Sequence, residues 1–138
     1  MCFVRKIDVF FYGLFMDEDL LRAKGVTPGN LRLASVSGFQ LRIGNRATLV
    51  PSQFGRVYGL IASLSHADLE RLYSEPSVSA YRPEAVLAYL PNGDVLAALC
   101  FNLPEPPSTE ERNTEYAFKL RSLAERLNFP AEYVASIQ

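Results

Sequence analysis

The sequence predicts a mixed α+β fold. Three observations carry this: apolar runs without helical period alternate with segments of period near 3.6; Asn92-Gly93 stands between two apolar runs as a hairpin signal; and Pro or Gly breaks the pattern at almost every boundary. About six strands and three helices are expected, in one domain over residues 1–138, with no internal repeat or long linker.

The first strand is expected over 7–12, "IDVFFY", whose β-branched and aromatic content suits burial on both faces and which Gly13 ends. Asp17 then caps a short helix, with acids in its first turn, Leu20 and Leu21 on its apolar face and Gly25 past its end. Further strands are expected in "ASVSGFQLRI", "RATLVP" and "RVYGLIASL". Ser65 and Asp68 open a second helix with Leu69, Leu72 and Tyr73 on one face, ending near Glu75-Pro76. "EAVLAYL" and "DVLAALCFNL" pair across Asn92-Gly93, where a type I′ turn is expected. Beyond the Pro-rich "LPEPPS", an S-x-x-E box from Ser108 to Glu111 opens a helix carrying Tyr116, Leu120, Leu123 and Leu127, and Pro130 begins a last short turn.

Composition excludes several function classes. Apolar residues are 49% and charged residues 21% of the 138, which is ordinary globular usage and allows roughly 70% of the unfolded surface to be buried. With 14 Lys and Arg against 15 Asp and Glu, the net charge of −1 offers no broad cationic face, so nucleic acid is not an expected partner. Arg32, Arg42, Arg46 and Arg56 are dispersed and read as solvated surface. Cys2 and Cys100 are too few for a disulfide framework, which fits a reducing cytoplasm, and a lone His66 makes no metal cluster. The opening apolar run follows Arg5 and Lys6 but is broken by Asp8, lacks a small-residue cleavage site and is too short to span a bilayer, so no membrane association is expected.

Two places could carry chemistry. A tight turn between a buried strand and a helix exposes backbone N–H groups that can hold a carboxylate or oxyanion; equally, Gly13 can serve only to permit the turn. Glu75 follows the apolar helix face and precedes Pro76; partly buried there, it would have a raised pKa and could act as a base, whereas in solvent it would be an ordinary surface acid.

The order of these pieces resembles the gamma-glutamylcyclotransferase family, including its AIG2-like branch, over almost the whole chain. "VFFYGLF" is similar to the family's strand and Y-G-[ST]-[LN] loop, and "GFQLRIGNRATLVPS" to its G-[FY]-x-L and A-T-I-x-P segments. "GRVYGLIASLSHADLERLYSEPSVSAYRPEAV" resembles G-x-V-[WY]-x-[IL] followed by D-L-x-x-L-D-x-x-E and a Tyr, and "YAFKLRSLAERLNFPAEY" resembles the closing helix.

The resemblance implies a small mixed β-barrel with flanking helices and one pocket at its mouth. Val9, Phe10, Phe11, Tyr12, Gly13 and Leu14 would bind the γ-glutamyl group, Glu75 would be the general acid/base, and Tyr81 and Tyr116 would border the substrate. The implied reaction is attack of the substrate's α-amine on its γ-carbonyl, giving 5-oxoproline and a free amine or amino acid without metal or cofactor. Backbone N–H groups near Gly13 and Leu14 would stabilise the oxyanion. The expected partner is therefore a small γ-glutamyl compound, and the expected assembly a monomer or small homo-oligomer. Leu14 stands where the family has a small polar residue, Tyr73 replaces an Asp and Pro76 a Gly; these departures keep open a non-catalytic ligand-binding protein on the same fold.

Overall fold

The computed structural model describes residues 5–138; Cys2 lies outside them. Five strands close into a barrel in the order β1-β3-β2-β4-β5: β1 Lys6–Phe11, β2 Gly29–Ile43, β3 Ala47–Ser65, β4 Arg82–Tyr89 and β5 Val95–Asn102. Neighbours are antiparallel except β1 and β5, which run parallel with Val9 opposite Leu99 and so close the ring. The helices flank the barrel: α1 Glu18–Ala23, α2 His66–Tyr73, α3 Thr114–Arg126 and α4 Ala131–Ser136, with a 3₁₀ turn at Leu14–Met16.

Five strands replace the expected six because "RATLVP" and "RVYGLIASL" are one strand. The β2–β3 ladder jumps from Ser37 opposite Arg56 to Phe39 opposite Pro51, and Gly38 takes a φ of +88° at the jump. Pro51 therefore sits at an irregularity, where its missing N–H donor is tolerated, and the bent strand continues. A second irregularity, at Asn30 with φ +50°, lets β2 start at Gly29, earlier than its apolar pattern suggests.

Two local readings need correction. In the β4–β5 connection Gly93 donates to the Leu90 carbonyl (2.9 Å), and among Pro91, Asn92 and Gly93 only Gly93 has positive φ, at +94°. This is a type I turn with Pro91 at its second position and a Gly bulge, not a type I′ turn, because proline's ring holds φ near −65°. The Ser108–Glu111 box does form, with Glu110 N–H on Ser108 Oγ (3.2 Å) and Ser108 N–H on Glu111 Oε2 (2.8 Å), but it closes only a turn. The helix starts later, capped by Asn113, whose Oδ1 accepts from Tyr116 N–H at 3.0 Å.

The other caps follow the sequence. Asp17 accepts from Asp19 N–H (3.0 Å), Ser65 accepts from Asp68 N–H (3.1 Å), and Gly25 has φ +79° beyond α1. Val9, Phe10, Val57, Ile61 and Cys100 are fully buried on the barrel strands, and Leu120, Leu123 and Ala124 form the buried face of α3. No helix among the described residues is long and apolar enough to cross a membrane.

Candidate functional site at the barrel mouth

At one end of the barrel the C-terminal ends of β1, β2 and β5 meet the starts of β3 and β4. A cavity of about 350 Å³ opens there, within the size usual for small-molecule sites. Phe10, Phe11, Tyr12, Gly13 and Leu14 line it from β1 and the turn that follows, and Tyr81 and Tyr116 close it from the start of β4 and the first turn of α3. Seven of the residues that the sequence nominated are thus brought together.

Val9 is not among them. It is fully buried in the barrel wall, opposite Ala62 on β3 and Leu99 on β5, one residue before the stretch of β1 that reaches the cavity.

Glu75 does not line the cavity either. Past α2 the chain turns through Val78 N–H to Glu75 C=O (3.0 Å), which brings Ser77 and Val78 to the cavity wall. The Glu75 side chain, 42% exposed, instead meets Lys24 at the end of α1, whose Nζ donates to both carboxylate oxygens at 2.9 Å. The apolar burial expected of a base is absent. The motif spacing explains the displacement: laid from Asp68, D-L-x-x-L-D-x-x-E reaches its last acid at position 76, which is Pro76, one residue beyond Glu75.

The turn after β1 is built by close approach. Met16 N–H bonds to Gly13 C=O and Asp17 N–H to Leu14 C=O, both at 3.0 Å, while Leu14 N–H donates to the Tyr116 hydroxyl at 3.3 Å. That hydroxyl lies where a Cβ on residue 13 would stand, so glycine is required by space; its φ of −114° needs no glycine.

Around the turn the wall is aromatic. Tyr73 stacks on Phe101 with centroids 4.0 Å apart, and Phe15 meets the edges of Phe11 and Tyr73, both at 5.8 Å. The Tyr12 hydroxyl donates to Phe101 C=O at 2.7 Å and that of Tyr81 to Ala47 C=O. Tyr73, expected from its spacing to be part of a helix face, is the last residue of α2 and lines this cavity.

The cavity's charges come from Lys24 and Arg46. Arg46 is exposed, as expected of a dispersed surface arginine, and the β2–β3 hairpin carries it to the rim of the mouth, a long-range placement that leaves no local sequence signal. Among the described residues that line the cavity, none is a carboxylate or histidine, and no group of three or more acidic, His or Cys side chains could hold a metal ion.

The phenols keep their protons here and are not bases. Burial raises the pKa of Tyr12, Tyr73 and Tyr81, and pushes Tyr116 up to about 12 against the small opposing effect of its bond from Leu14 N–H. Unfolded tyrosines lose their protons near 10.0, so the unfolded chain binds fewer protons than the folded one above that pH. Stability is accordingly expected to be full below pH 10 and to fall as pH rises from about 10 through 12. Urea titrations from pH 8 to 12 check this: Tyr116→Phe should flatten part of the alkaline slope, and an unchanged slope would contradict the assignment.

Comparison with solved structures places this architecture. A chain described as gamma-glutamyl cyclotransferase superposes with a TM-score of 0.81 over 97% of this chain and 89% of its own, at 17% identity. The fold is that of gamma-glutamyl cyclotransferase. An uncharacterized protein from Homo sapiens shares this cyclotransferase fold at TM-score 0.79 and 19% identity, over 97% of this chain and 89% of that one. An AIG2-like protein from Mus musculus does so at 0.56 and 15%, over 80% and 90%. A scan against protein-family models and a search of curated proteins give no match. The cyclotransferase fold expected from the order of motifs is therefore present, down to a closed mixed barrel whose mouth holds the Tyr-Gly turn.

Proposed function

We propose that the barrel-mouth cavity binds a small γ-glutamyl-type amide, and that the protein is a ligand-binding member of this fold with no general acid/base in its cavity. One observation carries the reading: the cavity presents two cations and four neutral phenols, with no carboxylate or imidazole among its described lining residues. Cyclisation needs the α-ammonium of the substrate to lose a proton before its nitrogen attacks, and raised phenols cannot take it near neutrality. Binding needs no such group. A ligand carboxylate is served by Lys24, Arg46 and the Tyr116 hydroxyl, which accepts from Leu14 N–H and keeps its own proton to donate. A ligand ammonium is served by the faces of Tyr73, Tyr81 and Phe101.

The second reading, a γ-glutamyl cyclotransferase with Glu75 as acid/base, is favoured by the Lys24–Glu75 pair. Lys24 lines the cavity, so the Glu75 carboxylate is one hydrogen bond from its wall and could turn inward if Lys24 bound a ligand carboxylate instead. A pair this exposed holds by only about 0–1 kcal/mol.

One panel separates the two. Calorimetric titration of γ-glutamyl peptides and amines should show binding, and incubation of the same compounds should release no 5-oxoproline above the protein-free rate. Catalysed release that Glu75→Gln abolishes would establish the cyclotransferase; absence of any binding would remove both readings.

A further inference from the structure

We propose that the outer face of β2, β4 and β5 is an interface between two copies of this chain. The runs "EAVLAYL" and "DVLAALCFNL" are apolar at successive positions, a pattern that calls for cover on both faces of a strand. Only one face receives it. On β4 Val86 and Ala88 are buried while Ala85, Leu87 and Tyr89 are exposed, and on β5 Ala98 and Cys100 are buried while Val95 and Ala97 are exposed. Leu87 stands opposite Ala97, and Tyr89 opposite both Val95 on β5 and Ser35 on β2, so these side chains share one surface. Leu33, two residues before Ser35, extends it along β2.

Elsewhere aromatic side chains cover the barrel wall. Phe15 lies against Phe11 of β1, while Phe129, past the end of α3, and Tyr133 of α4 lie against Tyr58 of β3. The β2–β4–β5 face has no such cover: its four large apolar residues are 39% to 58% exposed, from Leu33 to Leu87. With Ala85 and Ala97 they present roughly 400 Å² of apolar surface, a patch of the size that is commonly functional on a monomer. Two copies face to face would bury about twice that, and with a polar rim would reach the roughly 1,200 Å² at which specific interfaces begin. None of these residues lines the barrel-mouth cavity.

The borders of the patch point to a second copy as its occupant. Arg56 on β3, opposite Ser37, edges it on one side, and Asp94, next to Val95, edges it on the other. Both are exposed, and neither forms an ion pair among the described residues. The Asp94 carboxylate accepts only from Asn92 Nδ2, at 3.0 Å. A two-fold axis lying in the interface and crossing the line between the two borders turns each onto its opposite, so that Arg56 of one protomer meets Asp94 of its partner, twice per dimer. The same packing lays one twisted sheet face on another, as in a β-sandwich. An unrelated partner would have to reproduce this pairing; a second copy has it by symmetry.

Sedimentation equilibrium on the full chain is the test, with an expected monomer–dimer Kd of about 10 µM or tighter. Leu87→Glu places a carboxylate in the middle of the face and should raise that Kd about tenfold or more, with an unchanged circular dichroism spectrum because the side chain already meets solvent. Phe118→Glu, at an exposed apolar residue of α3, should leave the Kd unchanged. Arg56→Asp and Asp94→Arg should each weaken the dimer about tenfold by setting like charges together, and the two combined should restore it. A wild type that stays monomeric up to about 100 µM would overturn the proposal, whatever else then covers the face. A dimer that Leu87→Glu leaves intact would overturn it too, by placing the contact elsewhere, and failure of the combined charge reversal to restore association would overturn the two-fold arrangement.

Discussion

Gly13→Ala is expected to destabilise the protein by about 1–3 kcal/mol and to distort the ligand cavity, and Tyr116→Phe introduced with it is expected to restore most of the loss. The new methyl group would occupy the space of the Tyr116 hydroxyl, while the ring carbon behind that oxygen is 3.8 Å away, an ordinary contact. Removing the oxygen therefore removes the collision. Alone, Tyr116→Phe takes away the acceptor of Leu14 N–H, a loss of about 1 kcal/mol. The double variant should then be more stable than the sum of the single changes predicts, which a urea-denaturation cycle measures directly. Simple additivity would show that the turn and α3 are not in the contact described.

A second glycine carries a larger expected effect. Gly59→Ala, in the middle of β3, should cost about 3 kcal/mol or more, because the added Cβ would collide with the Phe11 carbonyl oxygen and stand 2.7 and 2.9 Å from two ring carbons of Phe10. A carbonyl in a paired strand cannot move aside as a side chain can. Phe10 is itself 1% exposed, with no empty space to turn into. Gly38→Ala is the comparison: nothing lies within 4 Å of its Cβ, and only the φ of +88° is strained, for about 1 kcal/mol. If the urea midpoint of Gly59→Ala fell no further than that of Gly38→Ala, the close approach of β1 to β3 would be wrong. That approach matters to function, since it brings Phe11, Tyr12 and Gly13 to the cavity.

The candidate site was legible where its residues are consecutive. Phe10 to Leu14 form one strand end and its turn, so a single motif named five lining residues together. Tyr81 and Tyr116 came only with the order of motifs along the chain. Lys24, Arg46, Tyr73 and Phe101 reach the same cavity from a helix end, a hairpin, another helix end and a strand end, and none carries a local mark of that destination. Glu75 shows the limit of motif matching by residue type. A carboxylate one position short of its motif, on a chain that is turning, points to Lys24 instead of the cavity.

By itself the sequence determined the mixed α+β class, the caps at Asp17 and Ser65, the Gly25 stop and the β4–β5 hairpin, because each rests on interactions within a few residues. Tertiary structure alone decided that Pro51 and Gly55 lie inside one bent strand, that β1 and β5 close a barrel by a parallel pairing of residues some 90 positions apart, and that the Ser108 box stops at a turn. It also decided which charges face the cavity. Local preference specifies where a segment bends or is capped, but which distant groups share a few ångströms of space depends on how the sheet closes.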